Sequence, residues 1–208
     1  QFQINDVLFP VQAHQLVVVN PNILHTEVSY EAHPLEYIVL GIEGLELTIS
    51  GTGAMKDYSA AAEYPWYDYN SQITEVLVEG TVQRIGNYAF HALEKVTTII
   101  IEVGVTAIGE RAMSACESLT TVIIPASVTE MGFYVFESYV PNSKLTTAGP
   151  MGGDYNIQFG WTDRIPDYAF YGLKNLTSVT IPSTVTRIGD YAFKNCSTLN
   201  DVTLPSGL

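Results

Sequence analysis

Apolar and polar residues alternate along several short stretches of this chain, and the stretches recur. Val76 and Val78, Ile99 and Ile101, Val122 and Ile124, Val179 and Ile181, and Val202 and Leu204 each sit two apart. That is the period of a strand with one buried face, and β-branching suits the pleat. Pro125, Pro182 and Pro205 follow three of the stretches. Proline has no N–H for the next ladder, so each ends its strand. Further along each stretch come Val82, Val105, Val128 and Val185, and then Ile85, Ile108, Met131, Ile165 and Ile188. Gly86, Gly109, Gly132 and Gly189 come next and predict a tight bend, with Pro166 in the variant copy. The runs GNYAFHAL, GERAMSAC and GDYAFKNC place Ala, then Phe or Met, then Leu or Cys inward. This spacing predicts one turn of α- or 3-10 helix on the outer face.

The interval is 23 residues from Ile85 to Ile108, Ile108 to Met131 and Ile165 to Ile188, and 34 from Met131 to Ile165. The long step reads as one repeat with eleven inserted residues at about 141–161, a protruding hairpin or loop. One coil cannot bury its apolar face alone. Stacking gives a continuous core in which each large apolar side chain contributes roughly 1.5–3 kcal/mol.

The frame L-T-x-V-x-I-P-x-x-V-T-x-I-G-x-x-A-F-x-x-C/L-x-x-L, carried by 97–119, 120–140 and 177–199, resembles the BspA-type leucine-rich repeat of bacterial surface proteins. The resemblance spans about 45–208. It implies an α/β-type, right-handed, β-rich leucine-rich-repeat solenoid, with one short strand per repeat. It also implies a secreted or surface-attached protein that binds or adheres, and it brings no catalytic residues.

Residues 71–208 form the repeat region in this reading, and 1–70 a β-rich N-terminal extension and cap on the first coil. Alternation in QLVVVN (15–20), TEVSY (26–30) and EYIVLGI (36–42) predicts strands in the extension. A remnant of a small β-sandwich is the second reading. The chain opens at Gln1 with no basic or apolar leader, as a processed or trimmed form would. The last coil, 200–208, lacks a polar cap, so either the natural chain continues or the end associates with another copy.

The net charge of −13 argues against nucleic acid, because phosphate neutralisation needs Lys and Arg. Nine acids and one base fall in 1–70, against thirteen and eight in 71–208. No window is apolar enough to span a membrane. Cys116 and Cys196 occupy the inward column and read as buried thiols too far apart to bridge. His14, His25, His33 and His91 lack metal-ligand spacing. Asp154, Asp163 and Asp167 read as a solvated loop, not a calcium site. No nucleophile or acid–base constellation appears, so no enzyme, cofactor or metal is expected.

Two surfaces remain as binding candidates. The outward strand column places Leu77, Ile100 and Ile123 in a row, an apolar patch unless the N-terminal segment or the insertion covers it. Tyr155 and Trp161 lie in the insertion beside it. The second candidate is the run Tyr58, Tyr64, Trp66, Tyr67, Tyr69. It could stack on sugar rings, or it could shield the open end of the first coil. The sequence therefore predicts an extracellular or cell-surface adhesion protein recognising a protein ligand, from a host or the extracellular matrix, through the solenoid face and the 141–161 loop. The alternative is a glycan binder using 58–69, in particular Trp66 and Tyr67. End-to-end self-association through the C-terminal coil stays open.

Overall fold

The computed structural model describes residues 45–59, 66–138, 143–206 and 208, and five further strands as backbone: β1 (Phe2–Ile4), β2 (Val7–Phe9), β3 (Gln15–Asn20), β4 (Ile23–Tyr30) and β5 (His33–Gly41). β1 and β2 form an antiparallel pair, whereas β3 to β5 run antiparallel into β6 (Leu45–Ser50). The three strands expected before residue 44 are present, and β3 to β5 extend the main sheet.

From β6 onward every ladder is parallel. Successive coils contribute β8 (Ile73–Val78), β10 (Thr98–Ile101), β12 (Thr121–Ile124), β17 (Ser178–Thr180) and β19 (Asp201–Thr203) to the main sheet. Val76, Ile99 and Val122 stand side by side, fixing the 23-residue register. The inward residues of β8, β10 and β12 are buried, and the outward ones are not. A second ladder stacks β7 (Gly53–Ala54), β9 (Val82–Ile85), β11 (Ala107–Ile108) and β13 (Glu130–Met131). β16 (Arg164–Ile165) and β18 (Arg187–Ile188) pair only with each other.

Between these ladders lies one core of leucine-rich-repeat type. Phe90, Phe170, Ile85, Ile108, Leu93 and Leu173 are buried within it. Threonines tie the coils: Thr97 Oγ1 donates to the Thr74 carbonyl, Thr120 Oγ1 to that of Thr97 and Thr177 Oγ1 to that of Thr146. No helix among the described residues is long and apolar enough to cross a membrane.

The expected helical turns do not form. The outer turns are hydrogen-bonded bends, and the single helical element among the described residues is a 3-10 turn at Tyr67–Tyr69. Tyr88, Arg111, Tyr134, Tyr168 and Tyr191 adopt φ of 52–58°, and four residues after three of them Ala92, Ala115 and Asn195 adopt 57–64°. Left-handed residues at that spacing interrupt any right-handed helix. The glycine column has a different cause from the bend expected of it. Gly109 and Gly132 are not in the left-handed region, but a Cβ on either would lie 2.4–2.5 Å from the preceding coil. Those glycines let coils approach.

The eleven extra residues do not form a protruding hairpin. Met131 to Leu145 is 14 residues where Ile108 to Leu119 is 11, and Leu145 to Ile165 is 20 where Leu119 to Met131 is 12. Leu145 is buried like Leu119, and β14 (Thr147–Pro150) takes the strand position beside β17. The chain then doubles back through 151–156 and lays β15 (Ile157–Phe159) between β14 and β12, parallel to both. Asn156 pins the three strands. Its Oδ1 accepts from the Thr146 and Thr147 N–H groups, its Nδ2 donates to the Thr120 carbonyl, and its N–H donates to Thr147 Oγ1. The main sheet thus gains a strand that the second ladder lacks.

Candidate functional site

The outward column of the main sheet runs through Thr48, Leu77, Ile100, Ile123 and Gln158. Leu77 and Ile123 are half-buried, and Ile100 is 38 % exposed. Ile100, at the centre of the three, is the most exposed of them. Gly149, which pairs with Gln158, carries the Tyr155 ring, since a Cβ there would lie 2.4 Å from it. Tyr155 also blocks Gly153, and the Gln158 side chain accepts the Gly152 N–H. The loop therefore sits flat on the sheet beside the apolar stripe, with Met151 exposed next to it.

Two predicted ligand residues are in the core. Trp161 is 3 % exposed, stacked 5.1 Å from Phe159, with its indole N–H bonded to the Val128 carbonyl. Trp66 is 1 % exposed, set against Phe90 and Tyr58, with its N–H on the Ala89 carbonyl. Neither ring has a face free for a ligand. Only Tyr67 of that pair of candidates is exposed. Tyr58 is buried, Tyr64 lies outside the described residues, and Asp57 is already engaged. Its carboxylate accepts from Arg84 at 2.7 Å and from the Asn87 N–H. Burial alone would raise its pKa, but these bonds outweigh it and hold it below the usual value.

The described thiols and histidine are held in local hydrogen bonds. Cys116 and Cys196 are free, and each thiol donates to the carbonyl of a buried phenylalanine, Phe90 or Phe170. Burial pushes Cys116 up to about 12 and Cys196 to about 11, so neither is a thiolate at neutral pH. His91 faces Ser114 Oγ at 2.7 Å. Among the described residues no three His, Cys, Asp or Glu side chains group as metal ligands.

A feature missed at the sequence level lies on the outer turns. Phe133, Tyr134, Tyr168, Tyr171 and Tyr191 form a run of touching rings, from Phe133–Tyr168 at 4.5 Å to Tyr168–Tyr191 stacked at 5.5 Å. Phe133 and Tyr191 are exposed. Arg111 covers Tyr134 and Lys194 covers Tyr191, each at 4.7 Å. The signal was available as the aromatic two residues after the Gly/Pro column.

A model of the BspA type leucine-rich-repeat region matches residues 66–149 and 163–208 in six copies. The chain belongs to the BspA-type leucine-rich-repeat family. The interval between the matched stretches, 150–162, holds β15, the strand foreign to the repeat. Similar solved structures include the leucine-rich-repeat protein of T. pallidum, with 24 % identity, covering 79 % of this chain and 76 % of that one, TM-score 0.48. One from Eubacterium ventriosum has 23 % identity, with 83 % and 70 % covered and TM-score 0.39. One from Bacteroides ovatus has 19 % identity and TM-score 0.43, and this BspA-type chain covers 54 % of its length. Among curated proteins none matches. Family membership indicates protein interaction or adhesion at a surface, and such repeats are generally binding scaffolds, not enzymes.

Proposed function

We propose that this BspA-type protein is an extracellular or cell-surface adhesin that binds a host or matrix protein through the main-sheet face. The observation that carries this reading is the outward apolar stripe of Leu77, Ile100 and Ile123, with Ile100 exposed at its centre and Tyr155 and Met151 in the loop. Apolar side chains at the centre of a polar sheet face are the anchors that interfaces favour. The test is capture of immobilised extracellular-matrix proteins by wild type and by Ile100→Asp. Loss of capture with an unchanged melting temperature is expected, and equal capture by the two would refute it. The exposed Val202 of edge strand β19 and the exposed Leu204 just after it support a second contact, self-association through this coil. Glycan binding through 58–69 loses its main support with Trp66 buried.

A further inference from the structure

The extra strand opens a cleft on the opposite side of the molecule. β12 and β17 are separated by two strands in the main sheet, whereas β13 and β18 are separated by β16 alone. β16 does not close onto β13, and a cavity of about 240 Å³ lies between them. The sequence of the coil that carries β16 keeps it open. Gly109 and Gly132 each donate their N–H to the coil before, at Ile85 and Ile108. The equivalent residue facing Met131 is Pro166, which has no N–H to give. The Arg164 N–H is taken by its neighbour's side chain, Asp163 Oδ1 at 2.9 Å.

The two walls differ in chemistry. On one, the carbonyls of Thr129 and Met131 accept no hydrogen bond from the described residues on the side away from β11, and the Glu130 carboxylate lies beside them. On the other, Arg164 and Arg187 stand in register on adjacent strands. Among the described residues neither guanidinium has a hydrogen bond or ion pair, although the chain carries a net charge of −13. Asp167 also lines the cleft, but its Oδ1 is occupied by the Asp190 N–H. Nearby, the Trp161 indole is bonded to the Val128 carbonyl, and the Phe133 and Tyr168 rings touch. The cleft is small. Its volume falls below the roughly 300–1,000 Å³ of sites for drug-sized ligands, near the scale of one sugar ring.

We propose that this cleft binds a carboxylated sugar. The carboxylate lies between the Arg164 and Arg187 forks, and the hydroxyls donate to the β13 carbonyls and Glu130. Planar guanidinium groups match a carboxylate with two parallel hydrogen bonds, and backbone carbonyls and Glu130 match hydroxyl donors. A neutral ligand would leave both guanidinium groups without a counter-charge, whereas a carboxylate supplies it.

Glucuronate and glucose differ chiefly in the carboxylate and form the matched probes. Ligand-detected NMR titration of the whole chain is expected to show glucuronate or N-acetylneuraminate binding, with glucose at least about tenfold weaker. Arg164→Gln/Arg187→Gln should bring glucuronate down to the glucose level while the melting temperature stays put, since both arginines are exposed. Ile100→Asp, on the opposite face, should leave sugar binding unchanged whatever it does to protein capture. Equal binding of acid and neutral sugars, binding that survives the double variant, or no binding of either acid would overturn the proposal. So would a pentapeptide of alternating valine and glutamate that displaced the sugar, because it would make the cleft a strand-capture site.

Discussion

The indole N–H of Trp161 donates to the Val128 carbonyl across 2.7 Å, joining the inserted strand to the coil before it. Trp66 also donates its indole N–H to a backbone carbonyl, but forward, to Ala89 in the coil that follows it. Trp161→Ala should cost about 3–5 kcal/mol by leaving a cavity against Phe159 and Phe170. Trp161→Phe should cost less, about 1–3 kcal/mol, chiefly by stranding the Val128 carbonyl. Urea unfolding of both variants checks the order, and a Phe variant as weak as Ala would mean the hydrogen bond dominates.

Arg111 reaches Glu137 at 2.6 Å, and the Glu137 side chain is only 6 % exposed. Arg111→Met should cost about 3 kcal/mol, because it leaves a carboxylate buried without its cation. Adding Glu137→Leu should recover most of that loss in a double-mutant cycle. No recovery would show that other partners satisfy Glu137.

Ala115 is held at φ 57°, and the matching position in the coil that carries β16 is Gly172 at 77°. A left-handed Ala costs about 1–2 kcal/mol, while Gly gives back about 0.4–1 kcal/mol through its freer unfolded chain. Ala115→Gly should therefore raise stability by about 0.5–1 kcal/mol. A lower melting temperature would contradict the strain assigned to this column.

Burial is the largest influence on His91 and lowers its pKa; the Arg111 charge adds to it, and the Ser114 bond opposes it. The folded state thus takes up fewer protons than the unfolded chain once pH falls through the ordinary value of 6.5. Stability contributed by neutral His91 is present above that pH and is lost below it. Denaturation midpoints between pH 8 and pH 5 should drop less for His91→Gln than for wild type.

Cys116 and Cys196 should react slowly with a thiol reagent at pH 8 in native protein and quickly after unfolding. Cys196, the less buried, should react first. Rapid native labelling of Cys116 would mean that the coil opens there.

The strand columns and their 23-residue register were legible in the sequence because burial at every second position leaves a strict pattern. The division of the extra residues was not. LTTAGP (145–150) repeats the LTTVIIP of 119–125 and belongs to the repeat, yet it fell inside the segment read as an insertion. The run Ile157, Phe159, Trp161 carries the period of an inward strand, but flanking glycines made it look like an exposed loop. Local pattern could not reveal that Gly149 lies under the Tyr155 ring, or that Gly160 lies against Ala126, since both depend on which strand ends up beside which.

β15 adds a strand to one face of the stack and nothing to the other. On that face the coils before β15 and those after it stand one extra strand spacing apart, roughly 4.8 Å. The second ladder stops at β13 and begins again at β16, whereas the main sheet runs on through β15 and β14 without a break in register. One sheet alone therefore carries the continuity of the stack across this joint.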